Sequence, residues 1–362
     1  MKRKFADVLT IVNGKNQKKV ENPKGEYPIY GSGGVMGHAD AYLCEADTVV
    51  LGRKGNINNP IYVDRKFWNV DTAFGLAADR DVLLPKYLFY FCCRYDFERI
   101  NKTVTIPSLT KKDLLDVEME VPEIPEQQRI VDVLDRLHAL KENRRRVLAM
   151  LDELVKARFV EMFGNPAKNE KAWPVQKIGD LVTDVRYGTS EKASDIGKYA
   201  YLRMNNLTYN GYLDLSDTKR ITLPASELEK CMVRKGDVLF NRTNSPELVG
   251  KTALFDLDEP MVIAGYIIRI RLKDYVRPEF FTKFMNLDYM KQTLFGMAKG
   301  SVNQANINAQ ELKSIAIYVP PISLQNQFAA FVREVDQTKA AVRAQVAAME
   351  TLRAKMMQDF FG

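Results

Sequence analysis

Histidine is almost missing from these 362 residues; only His38 and His138 occur. The four cysteines (Cys44, Cys92, Cys93 and Cys231) show no CxxC spacing. Neither a zinc site nor a disulfide framework can be read from them, and the expectation is no metal and a reducing, cytoplasmic setting. No run of eighteen apolar residues occurs, so no membrane span is expected. The opening MKRKFADVLT has basic residues but no apolar stretch or cleavage site, so it does not read as a secretory signal.

Catalytic signatures are equally scarce. GSGGVMG (Gly31–Gly37) departs from GxGxxG and lacks the Lys-Ser/Thr pair of a P-loop. An adenine methyltransferase would need an Asn/Asp-Pro-Pro-aromatic stretch. The nearest segments, Asn58–Pro60 and Val319–Pro321, are not that. His38 and His138 have no evident Ser or Cys partner, and acidic clusters of nuclease type are absent. The chain is expected to do no covalent chemistry, and no cofactor is expected in it.

What the chain does have is ordinary globular composition, with 46% hydrophobic and 27% charged residues, and a length that allows two or three domains. Its net charge of +7 is unevenly spread. Residues 166–318 hold 22 basic against 18 acidic side chains, whereas residues 121–165 hold 8 of each. A mild positive bias fits a polyanionic partner.

The chain also repeats itself. VPEIPEQQRIVDVL (Val121–Leu134) is answered by VPPISLQNQFAAFV (Val319–Val332), and the offset of 198 holds from Ser108/Asn306 to Gly164/Gly362. Gln127/Gln325, Lys141/Lys339, Leu154/Leu352 and Phe163/Phe361 are identical along it. Upstream, Lys4–Thr10 answers Lys177–Thr183 at an offset of 173, so the second copy is 25 residues longer in its first part.

The downstream part of each copy reads as one long helix. Apolar residues at Ile130, Val133, Leu134, Leu137 and Leu140 continue through Val155 with no glycine before Gly164. Ser323 is the expected N-cap of the second such helix, and Pro125 takes that slot in the first. Capping boxes at Thr110/Asp113 and Asn308/Glu311 predict a short helix and a strand just before each. At about 1.5 Å per residue, some 38 residues would reach ~57 Å. The cheapest partner for each stripe is its own repeat, which predicts an antiparallel helix pair and a pseudo-twofold tandem architecture of α/β (α+β) class. The expected divisions are 1–120, 121–165, 166–318 and 319–362.

The upstream parts read as strands joined by polar loops. Thr48–Leu51 and Ile61–Val63 flank a basic, Asn-rich loop, and Asp237–Phe255 holds its counterpart; Ala264–Leu272 reads as a half-buried strand. Candidate contacts to base edges and phosphates in the first part are Arg53, Lys54, Asn56, Thr103, Thr105 and Ser108. In the second they are Tyr187, Thr189, Ser190, Arg203, Asn205, Asn206, Arg242, Asn244, Ser245 and Lys251. The later loop adds Ser301, Asn303, Gln304 and Asn306.

Taken together, VPEIPEQQRIVDVLD, YPIYGSGGVMGHAD, VVLGRKGNI, YLRMNNLTYNG, GDVLFNRTNS, LVGKTALF and NQANIN resemble recurrent stretches of the specificity subunit of type I restriction–modification systems. The resemblance covers essentially the whole chain. The second copy departs from it with Leu324 where Glu126 stands in the first, which leaves the glutamate without a counterpart. The resemblance implies two target-recognition domains, each reading one half of a split site in double-stranded DNA, held apart by an antiparallel helical spacer. It also implies two methyltransferase subunits carrying S-adenosylmethionine, and nuclease/translocase subunits using ATP and Mg. Partner docking is expected at Glu126, Gln127, Phe163, Gln325 and Phe361. Phe159, Met162, Met356, Met357 and Phe360 are further candidates, with helix-pair packing as the alternative for each. Two other readings stand beside this one: a helical adaptor that binds no DNA, and the recognition subunit of a fused methylase–nuclease system.

Overall fold

Both long helices are present and uninterrupted, Ile124–Phe163 and Ile322–Phe361, at 40 residues each. Pro125 lies in a first turn, where a missing N–H is tolerated. Ser323 is not the cap expected of it. The helix already runs at Ile322, and the Pro321 carbonyl accepts from the N–H groups of Leu324 and Gln325. In this computed structural model, residues 1–103, 105–298 and 304–362 are described. They divide into two compact units, Met1–Arg145 with Ala344–Gly362, and Arg146–Arg343. The helices are therefore not domains of their own, as the expected divisions had them; each contributes one half to each unit.

The first unit holds an antiparallel sheet in the order Leu9–Asn13, Ala73–Ala78, Thr48–Gly52, Ile61–Val63. Beside it lies a smaller sheet, Gly34–Ala39, Tyr27–Gly31 and Trp68–Asn69, whose last pair is parallel. The glycines of GSGGVMG make the hairpin turn between its first two strands, with Gly34 at φ +118°.

The second unit repeats this plan as Val182–Tyr187, Ile267–Leu272, Val238–Asn241, Thr252–Leu254. In its smaller sheet Tyr199–Leu202 pairs parallel with Met261–Ile263. The strand expected to be half-buried, Ile267–Leu272, is buried over its first four residues because strands pair with it on both sides; its Arg269 is matched by Asp184 at 2.6 Å. The helix Ala225–Cys231 and strand Met232–Val233 belong to the longer second copy.

Each unit is closed by a ribbon that pairs its first strand with its last, Lys2–Lys4 with Glu118–Glu120 and Val175–Lys177 with Ala316–Tyr318. Both predicted caps lead into these ribbons, but the reciprocal box closes only at Asn308, whose N–H donates to Glu311 at 2.8 Å. Thr110 accepts from the Asp113 N–H at 3.1 Å, and Asn308 accepts from the Glu311 N–H at 3.0 Å.

Within each unit the two long-helix segments run antiparallel. In the first, Arg129 lies over the Phe360 ring while Arg145 reaches Glu350. In the second, Phe163 meets Phe328 at 5.3 Å while Lys339 meets Asp152. Ring contacts seat the last turn of each helix on the sheet-bearing part of the unit in which it ends: Phe361 on Tyr87 at 5.1 Å, and Phe163 on Phe280 at 5.0 Å.

Candidate nucleic-acid interface

At one edge of each unit, four backbone hydrogen bonds hold three loops together. In the first unit Gly14 donates to Ala73, Lys15 to Asn69, Arg53 to Thr72, and Leu109 to Arg53, at 2.8–3.2 Å. In the second Gly188 donates to Ile267, Thr189 to Ile263, Arg242 to Tyr266, and Ile307 to Arg242, at 2.8–3.1 Å. The two sets match bond for bond, so Lys15 corresponds to Thr189, Arg53 to Arg242 and Thr72 to Tyr266. The crossing is too tight for a side chain at its centre. A Cβ on Gly14 would stand 1.8 Å from the Val70 carbonyl oxygen, and one on Gly188 2.2 Å from that of Ile263. Glycine is therefore required at both places, while the neighbouring side chains are free to differ.

Several predicted contacts meet at these edges. In the first unit Arg53, Lys54, Asn56, Thr103 and Thr105 are exposed and Ser108 is half-buried. Lys54 bridges Ser108, and the Gly55 N–H donates to Pro107 at 2.9 Å, so the two loops lie side by side. Thr103 is held within its own loop, its hydroxyl 2.8 Å from Asn101 Oδ1.

In the second unit Thr243–Asn244 pairs with Ala305–Asn306 in the corresponding place, with Gln304 exposed beside it. The Arg242 guanidinium lies over the Tyr187 ring at 4.9 Å, and its Nε is buried without a partner. The Tyr187 hydroxyl accepts from the Ala309 N–H at 2.9 Å, which fixes the ring under the arginine. Asn244 and Ser245 are half-buried and Ser190 is exposed. Ser301 and Asn303 lie outside the described residues.

Other predicted contacts are corrected. Thr189 and Asn206 are buried, and Asn206 binds the carbonyls of Asp214 and Asp217. Lys251 is buried with its Nζ on the Met204 carbonyl at 2.6 Å, and burial lowers its pKa. Arg203 and Asn205 are turned to Asp217. Thr189, Asn206 and Lys251 thus shape the loops from inside, whereas Asn205 stays exposed and Arg203 half-buried beside Asp217.

The glutamines expected to dock a partner are also corrected. Gln127 is fully buried; its Oε1 accepts from the Leu84 N–H at 2.8 Å, and its Nε2 donates to Val82 at 2.9 Å and Pro122 at 2.8 Å. Gln325 repeats the arrangement with the Arg277 N–H at 2.8 Å, Tyr275 at 3.2 Å and Pro320 at 2.8 Å. Each amide locks a long helix to the N-terminus of a shorter one, Pro85–Arg94 or Pro278–Met285. Phe159, Phe163 and Met357 are likewise buried, and Met162, Met356, Phe360 and Phe361 pack against the same cores. Glu126 stays at the surface and pairs with Arg129. The apolar side chains that the helices leave exposed are others, among them Met150, Leu154 and Leu352.

Sequence reasoning missed Lys15 and Thr72. A signal was available in the offset of 173 between Lys4–Thr10 and Lys177–Thr183. A β-bulge between Val182 and Asp184 adds one residue, which carries Lys15 onto Thr189.

Comparison with known proteins agrees with this architecture. The chain is 24% identical over 193 residues to the putative type I restriction enzyme MjaX specificity subunit of Methanocaldococcus jannaschii, covering 52% of this chain and 45% of that one. It is 25% identical over 237 residues to the type I restriction enzyme EcoKI specificity subunit of Escherichia coli, covering 61% and 50%. These matches span about half the length of those relatives. The fold is shared with the crystal structure of the type I restriction–modification system S subunit from M. genitalium, at a TM-score of 0.65 and 16% identity over 100% of this chain and 96% of that one. A family model described as type I restriction modification DNA specificity domain matches residues 1–150 and again 170–348. The chain belongs to the family of type I restriction–modification DNA specificity domains.

Proposed function

We propose that this chain is the DNA-reading subunit of a type I restriction–modification complex, with each unit reading one half of a bipartite, asymmetric site. The observation that carries the reading is the pair of matched edges, in which one backbone frame recurs with different side chains on it. Constant geometry with changed donors and acceptors is what two related readers of different base sequences require. Arg242, placed over Tyr187, is the central reading residue of the second frame, and Arg53 stands at the same place in the first.

Adenine methylation and DNA cleavage then belong to partner subunits: two methyltransferases using S-adenosylmethionine, one per repeat, and nuclease/translocase subunits using ATP and Mg. Leu154 and Leu352 sit at the same position of the repeat and are 47% and 48% exposed, which supports one equivalent methyltransferase seat per helix. A 40-residue helix would span about 60 Å, more than the ~34–36 Å of one DNA turn, which supports a gap between half-sites set by helix length. The place of action is the cytoplasm.

The test is to co-express the chain with its cognate methyltransferase and map methylated adenines across host DNA. A two-part motif with a fixed gap, lost when this chain is omitted, is the expected result. The same motif without the chain, or none from an assembled complex, would sink the reading.

A further inference from the structure

The two edges share a frame but not a charge. On the first, the frame and its loops (13–21, 53–61 and 71–72) carry Lys15, Lys18, Lys19, Arg53 and Lys54 against two carboxylates, Glu21 and Asp71. On the second, the corresponding segments (187–195, 242–250 and 265–266) carry Lys192 and Arg242 against Glu191 and Glu247; Asp195 is paired with Lys219. Among the described residues, no carboxylate reaches ion-pair distance of Lys15, Lys18, Lys19, Arg53 or Lys54.

The lysines stand on an ordered loop. The Lys15 N–H donates to Asn69 at 3.0 Å and its carbonyl accepts from Trp68 Nε1 at 2.9 Å, so its backbone is clamped on both sides. The N–H groups of Val20 and Glu21 both donate to the Gln17 carbonyl at 2.9 Å, closing the turn that presents Lys18 and Lys19. Lys15, Lys18 and Lys19 are all exposed within five residues, and like charges repel wherever they come within the roughly 8–10 Å screening length of moderate salt. A loop that keeps them close in sequence with no carboxylate at ion-pair distance is suited to a polyanion that offsets that repulsion.

We infer that Lys15, Lys18 and Lys19, with Arg53 and Lys54, form a clamp for the phosphate backbone of double-stranded DNA that the second unit lacks. The first unit then supplies most of the salt-dependent affinity. The second works through an edge of near-zero net charge, chiefly the Arg242–Tyr187 pair. This rests on the reading of the chain as a DNA-binding subunit.

The full-length chain is titrated against a fluorescent duplex of random sequence over a range of salt concentrations. Each lost phosphate contact lowers the log Kd–log salt slope by about 0.9. The variant K15Q/K18Q/K19Q should therefore lose about 2 to 3 from the slope, and K15R/K18R/K19R should keep it. The control K192Q/K198Q/K230Q, on the second unit, should lose less than about 1. Unchanged thermal melting establishes that each variant is folded. A wild-type slope in the first variant, or an equal loss in the control, overturns the inference. Wild-type protein that binds duplex with no salt dependence also overturns the inference, whereas wild-type protein that binds no duplex at any salt overturns the DNA-binding reading beneath it.

Discussion

Lys141 and Lys339 occupy the same position in the repeat, and so do their partners Glu350 and Asp152, yet the two pairs differ in kind. Lys339 is 1% exposed, lies 2.5 Å from Asp152 and donates to the Tyr212 hydroxyl at 2.7 Å. Lys141 is 17% exposed and only approaches Glu350 at 4.0 Å. The difference is Tyr212. The first unit turns its hairpin with Ser32 and Gly33, whereas the second runs through Arg203–Thr218 before its matching strand, and this excursion lays Tyr212 on the helix seam. Lys283 and Arg343 complete the set, both facing the Tyr212 ring, whose hydroxyl donates to Asp336 at 3.0 Å. Added length in a recognition domain has turned a surface ion pair into a buried network that ties that domain to the helices.

The largest predicted effect separates these two lysines. Lys339→Ala leaves Asp152 without its cation in a mostly dry seam and should cost about 3 kcal/mol, toward the lower end of buried-pair losses. Lys141→Ala should cost less than about 1 kcal/mol, as surface pairs do. Each unit holds one tryptophan, Trp68 in the first and Trp173 in the second. Urea unfolding followed in W68F and W173F backgrounds therefore reads them separately. Equal losses would show that burial does not distinguish the pairs.

The glutamine clasps carry the opposite expectation. Gln127→Ala and Gln325→Ala each leave one N–H and two carbonyls without partners, at about 2–3 kcal/mol per variant. Because the three bonds are the same in both units, the two losses should agree. A clear inequality in the same unfolding assay would break the equivalence.

A gentler difference is expected with pH. Burial, with Lys339 and Arg343 beside it, pushes the Lys283 amine down to about 8, while Asp336 and Asp152 pull the other way. The folded second unit thus favours the neutral amine, and between pH 8 and the ordinary lysine value the unfolded chain binds more protons. Stability of that unit should rise with pH through this window. The Lys283→Met variant should show a flatter profile, the difference isolating Lys283 from Lys291, which burial also lowers to about 8. The corresponding position in the first unit is Tyr90, bonded to Asp135, so no such rise is expected there. Identical profiles for wild type and variant would refute the assignment.

Much of this architecture was legible because it rests on periodicity and local chemistry. The apolar stripe gives both long helices, and Thr110 and Asn308 announce the short ones by side-chain spacing alone. The identical glutamines were visible as well, but not their role, since two of the three partners of each lie more than forty residues away along the chain. Burial of Asn206 and Lys251 is a tertiary fact, and their letters look like any polar loop. Lys15 was hidden by one bulged residue, which broke the alignment where the recognition frame begins.

The smallest effect bears on the two arginines of the frame. Arg242 lies over the Tyr187 ring at 4.9 Å with its Nη1 toward the Gly265 carbonyl, which orients its guanidinium; Arg53 passes near Phe74 at 5.7 Å from an exposed loop among lysines. A lysine cannot reproduce a stacked, bidentate fork but can replace a point charge at a phosphate. Arg242→Lys should therefore lose nearly as much discrimination at one base position as Arg242→Ala, about 1–2 kcal/mol or some tenfold. Arg53→Lys should behave almost as wild type. Methylation mapping across degenerate half-sites reads both variants. If Arg53→Lys relaxed its half-site as far as Arg242→Lys did, both arginines would be base readers, and the charge on the first edge would have to act through the lysines alone.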